Sequence, residues 1–252
     1  MKNRTHDMPQ PPRPPTGKAR RDNPARARQG SLYDFAPMAA AYDQWYSTPA
    51  GRAHDREQKT LVRRFLPPVE RGPRLLDVGC GTGHWSRFFA GLGFLVTGID
   101  ISPAMIHMAR SSTCNGCRFL IANAHTLPFV DNAFDVVTAM VVLEFVVDPE
   151  RAVAEMSRCA RSPGRLVIGA LNVESPLNRD RIATRKEPYC SAHMFTVSQL
   201  GALLSGFGAI RMSVTPEDSK RIPGRAAAPA ELPPESFDTA PRGAFIVAEV
   251  RV

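Results

Sequence analysis

The residues with the clearest chemical potential lie in one run, Asp77-Val78-Gly79-Cys80-Gly81-Thr82-Gly83-His84. Glycines at alternate positions let the chain turn sharply and let a ligand lie directly against backbone. Their spacing discriminates between ligands. A dinucleotide fingerprint reads G-x-G-x-x-G. Counted from Gly79, its third glycine would fall at 84, which is His84, whereas glycine stands at 83. No G-K-[ST] phosphate loop is present either. The carboxylate of Asp77 beside the loop repels a pyrophosphate and suits a cationic ligand. A second acid, Asp100, closes the run Gly98-Ile99-Asp100, 17 positions beyond Gly83. That is near the ~20 positions at which an acid reaches the hydroxyls of a ribose. The pair asks for a positively charged nucleoside without phosphate, a description that S-adenosylmethionine meets.

Such residues need elements that bring them together, and the pattern beyond residue 72 supplies them. Apolar strands are expected at Arg74–Val78, Phe94–Ile99, Arg118–Ala122, Phe134–Met140, Arg165–Ala170, Ala209–Thr215 and Ala244–Val252. Helices are expected at Gly83–Leu92, from Ser102 to about Arg110 with Pro103 at its first position, at Asp148–Arg161, and at Thr196–Ser205. Strands alternating with helices at this spacing predict an α/β fold with a mainly parallel, doubly wound sheet covered on both faces. The carboxyl end of the first strand, where the glycine loop lies, is where such sheets bind ligands.

Before the sheet, residues 31–72 carry a dense aromatic group, Tyr33, Phe35, Tyr42, Trp45 and Tyr46, followed by an amphipathic helix over 52–66. Residues 1–30 are Pro- and Arg-rich, with almost no large apolar side chain, a composition that predicts disorder. Of the net charge of +8, +6 falls in that tail, so any inference from charge concerns the tail rather than the domain. No apolar stretch is long enough for a membrane span and no secretory signal opens the chain, which makes a cytoplasmic location the expectation. The five scattered cysteines suggest reduced thiols, with Cys114-Asn115-Gly116-Cys117 read as a turn; no metal site is expected. Residues 171–195, polar and basic, and 216–243, rich in Pro and Ala, fall outside the alternation.

Several motifs in order carry a family resemblance: Leu76–Gly83, Gly98–Ser102 with Met105, Ala122-Asn123-Ala124 before Leu127-Pro128-Phe129, Phe134-Asp135-Val136-Val137, Leu143-Glu144, and Ser162-Pro163-Gly164-Arg165-Leu166. From about Tyr42 to Phe207 the chain resembles the class I S-adenosylmethionine-dependent methyltransferases, especially the subgroup of ubiquinone and menaquinone biosynthesis. The resemblance implies a three-layer, Rossmann-like, seven-stranded sheet with its last strand antiparallel. It implies a methyltransferase domain over 73–252, an N-terminal helical lid over 31–72, and insertions at 171–195 and 216–243 near the acceptor site. It also implies roles. Gly79, Gly81 and Gly83 line the methionine end, with Asp77 near the ammonium and Tyr42 in the lid. Asp100 holds the ribose, Ile101 and Met105 pack on adenine, and Asn123 with Ala124 meets the adenine edge. The family usually has Asp where this chain has Asn123, and often His where it has Phe145.

The expected reaction is in-line methyl transfer to a small-molecule acceptor. Candidate bases, in falling order, are His193, Tyr33 and Glu144. The cluster Arg179, Arg181, Arg185 and Lys186 reads as a solvated loop or as a contact for an acidic substrate. Two other readings stand beside this one: an RNA- or peptide-directed methyltransferase using the basic tail, and a non-catalytic S-adenosylmethionine-binding module. Oligomeric state is not legible.

Overall fold

The structure, a computed structural model, describes residues 30–69, 72–217 and 231–252. The disorder expected of the basic tail therefore falls outside the described residues, apart from Gly30. A 3-10 helix over Ala36–Ser47 leads into α1 (Pro49–Arg63). The sheet and its helices follow as β1 (Arg74–Val78), α2 (His84–Gly91), β2 (Leu95–Asp100), α3 (Pro103–Ser111), β3 (Cys117–Ile121), β4 (Phe134–Met140), α4 (Pro149–Cys159), β5 (Ala160–Leu171), α5 (Pro176–Ala183), α6 (Val197–Leu204), β6 (Ala209–Val214) and β7 (Phe245–Arg251).

Helix starts are written locally. Proline opens α1, α3, α4 and α5, where its missing N–H costs nothing. The side chains of Thr48, Ser102 and Asp148 accept from the backbone at the first turns of α1, α3 and α4, and Thr196 with Gln199 forms a reciprocal capping box on α6. The Thr48 cap and Pro49 explain why α1 begins three residues before the expected helix.

The strand order is β3-β2-β1-β4-β5-β7-β6. The first five strands are parallel, and β7 runs antiparallel to both β5 and β6. This is the seven-stranded Rossmann-like sheet with an antiparallel last strand. Side chains alternate across it. Leu76, Val137 and Ile168 share one core with Val153 and Met156 of α4 and Leu200 of α6. Leu75, Val136 and Val167 pack on the other face against Leu61 and Val62 of α1 and Trp85 and Phe89 of α2. Each such buried side chain contributes about 1.5–3 kcal/mol, so the sheet is a firm base for the loops at its carboxyl edge.

Two expectations change here. Cys114 and Cys117 are joined as a disulfide rather than standing as free thiols, because the Asn115-Gly116 turn brings their Cα atoms to 5.4 Å. In segment 171–195 a helix, α5, appears where no apolar period shows. Asn178 anchors it, its amide donating to Asn172 O at 2.8 Å and Ala244 O at 2.9 Å. No helix among the described residues is long and apolar enough to cross a membrane.

Candidate active site

The chain leaves β1 at Val78 and turns through Gly79, Gly81 and Gly83, all with left-handed φ of +67°, +54° and +83°. At Gly79 a Cβ would also lie 2.4 Å from Val142 Cγ2, so both conformation and space demand glycine. The loop is tied to β2 twice. Cys80 N–H donates to Ile99 O at 2.8 Å, and Gly81 N–H donates to Asp100 Oδ2 at 2.9 Å. Asp100 Oδ1 accepts from Ser102 N–H at 2.8 Å, which sets the carboxylate at the junction of β2 and α3. Burial pushes its pKa up, and these backbone donors oppose the rise.

A cavity of about 340 Å³ opens along this edge. Gly79, Gly81, Asp100, Ile101, Met105, Asn123 and Ala124 all line it, and so does Tyr42 from the N-terminal 3-10 helix. Asn123 Oδ1 already accepts from His125 N–H at 2.9 Å. Its Nδ2 has no partner among the described residues, so Asn123 can offer a purine edge this donor as well as the second lone pair of Oδ1.

Two loop residues lie elsewhere than expected. Asp77 does not line the cavity. It is buried beneath the loop, where Oδ2 accepts from Ser86 Oγ at 2.6 Å and Oδ1 from Thr138 Oγ1 at 3.0 Å. Burial pushes its pKa up to about 7, in spite of those two hydrogen bonds. Its place is to fasten β1, α2 and β4 together, not to face an ammonium. Gly83, the N-cap of α2, likewise does not line the cavity, and a Cβ there would meet Phe119 Cζ at 2.9 Å.

None of the three candidate bases lines the cavity. His193 is exposed, and its backbone N–H donates to Glu144 O at 2.8 Å. Tyr33 packs edge-on to Phe35, 4.8 Å between centroids, and it is Phe35 that reaches the wall. Burial raises the Tyr33 pKa. Glu144 is fully buried behind the wall. Its Oε1 accepts from Leu171 N–H at 2.6 Å, while Oε2 has no partner among the described residues, and burial pushes its pKa up to about 7. The strand-end motif that carried Glu144 gives the residue's position along the chain but not the face it turns to.

The far end of the cavity is built from the lid, α1, α2 and α5. Trp45, Tyr46, Trp85, Phe145 and Tyr189 form aromatic walls there. Tyr42 stands edge-on to both Phe35 and Tyr46, and burial drives its pKa well up. Asp43 pins the lid to the glycine loop: Oδ1 accepts from Thr82 Oγ1 at 2.6 Å, and Oδ2 pairs with Arg87 at 3.5 Å. From the basic cluster Arg181 and Lys186 line the cavity, whereas Arg179 and Arg185 are exposed and do not. The segment 171–195 therefore does reach the far end. The described part of 216–243 does not: its 3-10 helix, Pro234–Thr239, packs on α6, and Leu232 bridges to Met212 of β6.

Sequence reasoning missed His84. It lines the cavity, Tyr46 stacks flat on it with centroids 3.7 Å apart, and its Nε2 lies 2.7 Å from Asp55 Oδ1 and 2.8 Å from Lys59 Nζ. The one signal in the sequence is the i, i+4 placement of Asp55 and Lys59 on an expected helix; their meeting with residue 84 is tertiary.

The wall fits S-adenosylmethionine. Asp100 would accept from ribose hydroxyls, apolar Ile101 and Met105 would pack on a purine face, and neither Lys nor Arg lines the loop end where a pyrophosphate would need one. Fold and site together match what the resemblance to the class I S-adenosylmethionine-dependent methyltransferases implies. In agreement, residues 76–168 match the family described as "Methyltransferase domain". The chain carries that domain, and the domain's cofactor is S-adenosylmethionine.

Relatives agree on the class. The chain is 34% identical over 136 residues to demethylmenaquinone methyltransferase of Clavibacter sepedonicus, covering 53% of this chain and 55% of that protein. It is 34% identical over 157 residues to the ubiquinone/menaquinone biosynthesis C-methyltransferase UbiE of Stutzerimonas stutzeri, covering 58% of each. The chain thus spans little more than half the length of these curated relatives. A solved S-adenosylmethionine-dependent methyltransferase of Thermotoga maritima, described as a possible histamine N-methyltransferase, superposes with a TM-score of 0.68 at 25% identity, covering 86% of this chain and 97% of that one.

Proposed function

We propose that the protein transfers the methyl group of S-adenosylmethionine to a small-molecule acceptor by direct in-line displacement. The observation that carries this reading is a single cavity lined at one end by the cofactor-type residues and at the other by aromatic side chains of the lid. The cofactor supplies a methyl group already activated on a sulfonium. The chain's own work is alignment and exclusion of water. Asp100 and the glycine loop fix one partner, and the aromatic walls fix the other. Asp43 keeps the lid seated over the loop. Positioning of this kind can supply roughly 7–11 kcal/mol of barrier reduction. Two of the relatives are named as quinone-pathway methyltransferases, and flat aromatic walls suit a planar acceptor. A cytoplasmic setting belongs to the same reading.

The test is incubation with methyl-tritiated S-adenosylmethionine and cell extract divided by size. Label is expected in the small-molecule fraction. Label confined to RNA or protein would replace this reading with a macromolecular acceptor, and binding without any transfer would leave a cofactor-binding module.

A further inference from the structure

The aromatic end of the cavity holds one titratable cluster that the positioning argument does not use. His84 opens α2, directly after the glycine loop, and its ring lines the cavity. Its Nε2 is 2.7 Å from Asp55 Oδ1 on α1, and Lys59, one turn further along α1, pairs with Asp55 Oδ2 at 2.8 Å. Burial alone would raise the Asp55 pKa, but hydrogen bonds from His84 and Lys59 outweigh it and hold the carboxyl below its ordinary range. An ionised carboxylate can only accept, so the tautomer that satisfies Asp55 carries its proton on Nε2, whereas the tautomer that accepts from Lys59 would carry it on Nδ1. Lys59 lies 2.8 Å from that nitrogen and pairs with Asp55 Oδ2 at 2.8 Å; we assign the Nε2 proton to the Asp55 contact, with the ammonium directed at the carboxylate. Tyr46 covers one face of the ring at 3.7 Å. The lone pair is thereby left on Nδ1, which has no hydrogen-bond partner among the described residues.

We propose that His84, oriented by Asp55, is the general base of this site and that the acceptor is an aromatic hydroxyl. The inference rests on the methyl-transfer reading above. Nδ1 takes the hydroxyl proton as an oxygen lone pair forms the new bond to the methyl carbon. The carbon–sulfur bond breaks, and its electron pair returns to sulfur, leaving a neutral thioether. The imidazolium, stabilised by the Asp55 carboxylate, then gives its proton to solvent. Products are the O-methyl ether, S-adenosylhomocysteine and one proton, so charge and atoms balance. The arrangement is that of a base held by a third group. The aromatic walls select a ring to carry the hydroxyl, and a ring-carbon acceptor would not need the base at the same place.

The experiment uses the full chain as wild type, His84→Gln and Asp55→Asn, with 4-hydroxybenzoate and tyramine as probes. These are two phenols with opposite charge at the far end. Calorimetry with S-adenosylhomocysteine on each sample separates the two levels: loss of binding in the wild type defeats the methyl-transfer reading, whereas intact binding confines any failure to the base. Wild type is expected to yield an O-methyl product from at least one phenol. His84→Gln is expected to lower kcat by about 100-fold or more at unchanged cofactor affinity, in line with general-base contributions of ~10²–10⁴. As a positioning residue, Asp55 is expected to change the pH profile: Asp55→Asn lowers kcat and shifts the rising limb, with KM nearly constant. Nitrogen-15 NMR of the wild-type histidines, with S-adenosylhomocysteine bound, checks the tautomer without relying on any variant's folding. A neutral ring protonated at Nε2 is expected. A ring protonated at Nδ1, a His84→Gln protein of undiminished kcat, a product methylated on ring carbon, or cofactor binding with neither phenol methylated would each overturn the proposal.

Discussion

The two ends of the cavity are made in different ways. At the cofactor end, Gly79, Gly81 and Asp100 are held by backbone at the carboxyl edges of two adjacent parallel strands, and the loop is bound to Asp100 through Gly81 N–H. At the far end, which the proposal assigns to the acceptor, His84, Trp45, Tyr46, Arg181 and Tyr189 arrive from four separate segments and meet only through side chains. The first end is thus a property of the sheet, and the second of packing between the lid, α1, α2 and the α5 region. A fold built this way keeps one ligand fixed and leaves the other open to change, since the acceptor end can be altered without touching a strand.

If the cofactor end is rigid backbone, small changes there must have large effects. Gly79→Ala is expected to have the largest, because it adds a Cβ at φ +67° against Val142. Left-handed strain of roughly 1–3 kcal/mol, together with displacement of the loop, should weaken S-adenosylhomocysteine binding by about 100-fold, as measured by calorimetry. Retention of wild-type affinity would show that the loop is looser than the sheet implies. Asp100→Ala comes next. It removes both the proposed ribose acceptor and the brace on Gly81 and Ser102, and a loss of more than about tenfold, or 1.4 kcal/mol, is expected. Unchanged affinity would refute the ribose assignment.

The acceptor end should respond more gently. Asp43→Ala cuts the lid from Thr82 and Arg87, hydrogen bonds worth about 0.5–1.5 kcal/mol each. Cofactor affinity should fall about three- to tenfold, with faster proteolysis of the lid. A loss as large as that of Asp100→Ala would erase the distinction between the two ends.

The smallest effect concerns the wall between them. Glu144 has a folded-state pKa of about 7, above its ordinary 4.5, because burial penalises its charged form. Its contribution to stability is full below about pH 4.5 and is lost as pH rises through 7. Asp77 acts in the same direction. Glu144→Gln should therefore show a shallower fall in Tm between pH 5 and 8 than wild type, read by thermal melts at fixed ionic strength. An identical slope would mean that Glu144 is ionised in the fold throughout that range.

The same contrast separates the parts of the molecule that the sequence makes legible from those it hides. Strands, caps and the glycine loop are local: an apolar run, Ser102-Pro103, or a glycine that tolerates φ above zero states its own requirement. Gly79, Gly81, Asp100, Ile101, Met105, Asn123 and Ala124 all line the cavity, because each is fixed by its place on a strand end or the first turn of a helix. Asp77 shows where that logic stops. Its position beside the loop is legible, but the orientation of its side chain depends on Ser86 and Thr138 hydroxyls that no spacing rule connects to it. Glu144 points into the protein for the same kind of reason. His84 is hidden because its partners, Asp55 and Lys59, lie 29 and 25 residues away and meet it only when α1 docks beside α2. His193, the leading candidate for a base from its neighbours in sequence, is exposed outside the cavity.

The central claim is that this cavity grips a cationic, phosphate-free nucleoside. Calorimetric titration of the purified full chain with S-adenosylmethionine, S-adenosylhomocysteine, NAD and ATP tests it most directly. The account predicts saturable one-to-one binding of the first two and none of the last two. Micromolar binding of NAD or ATP, with no heat from either sulfur nucleoside, would contradict it.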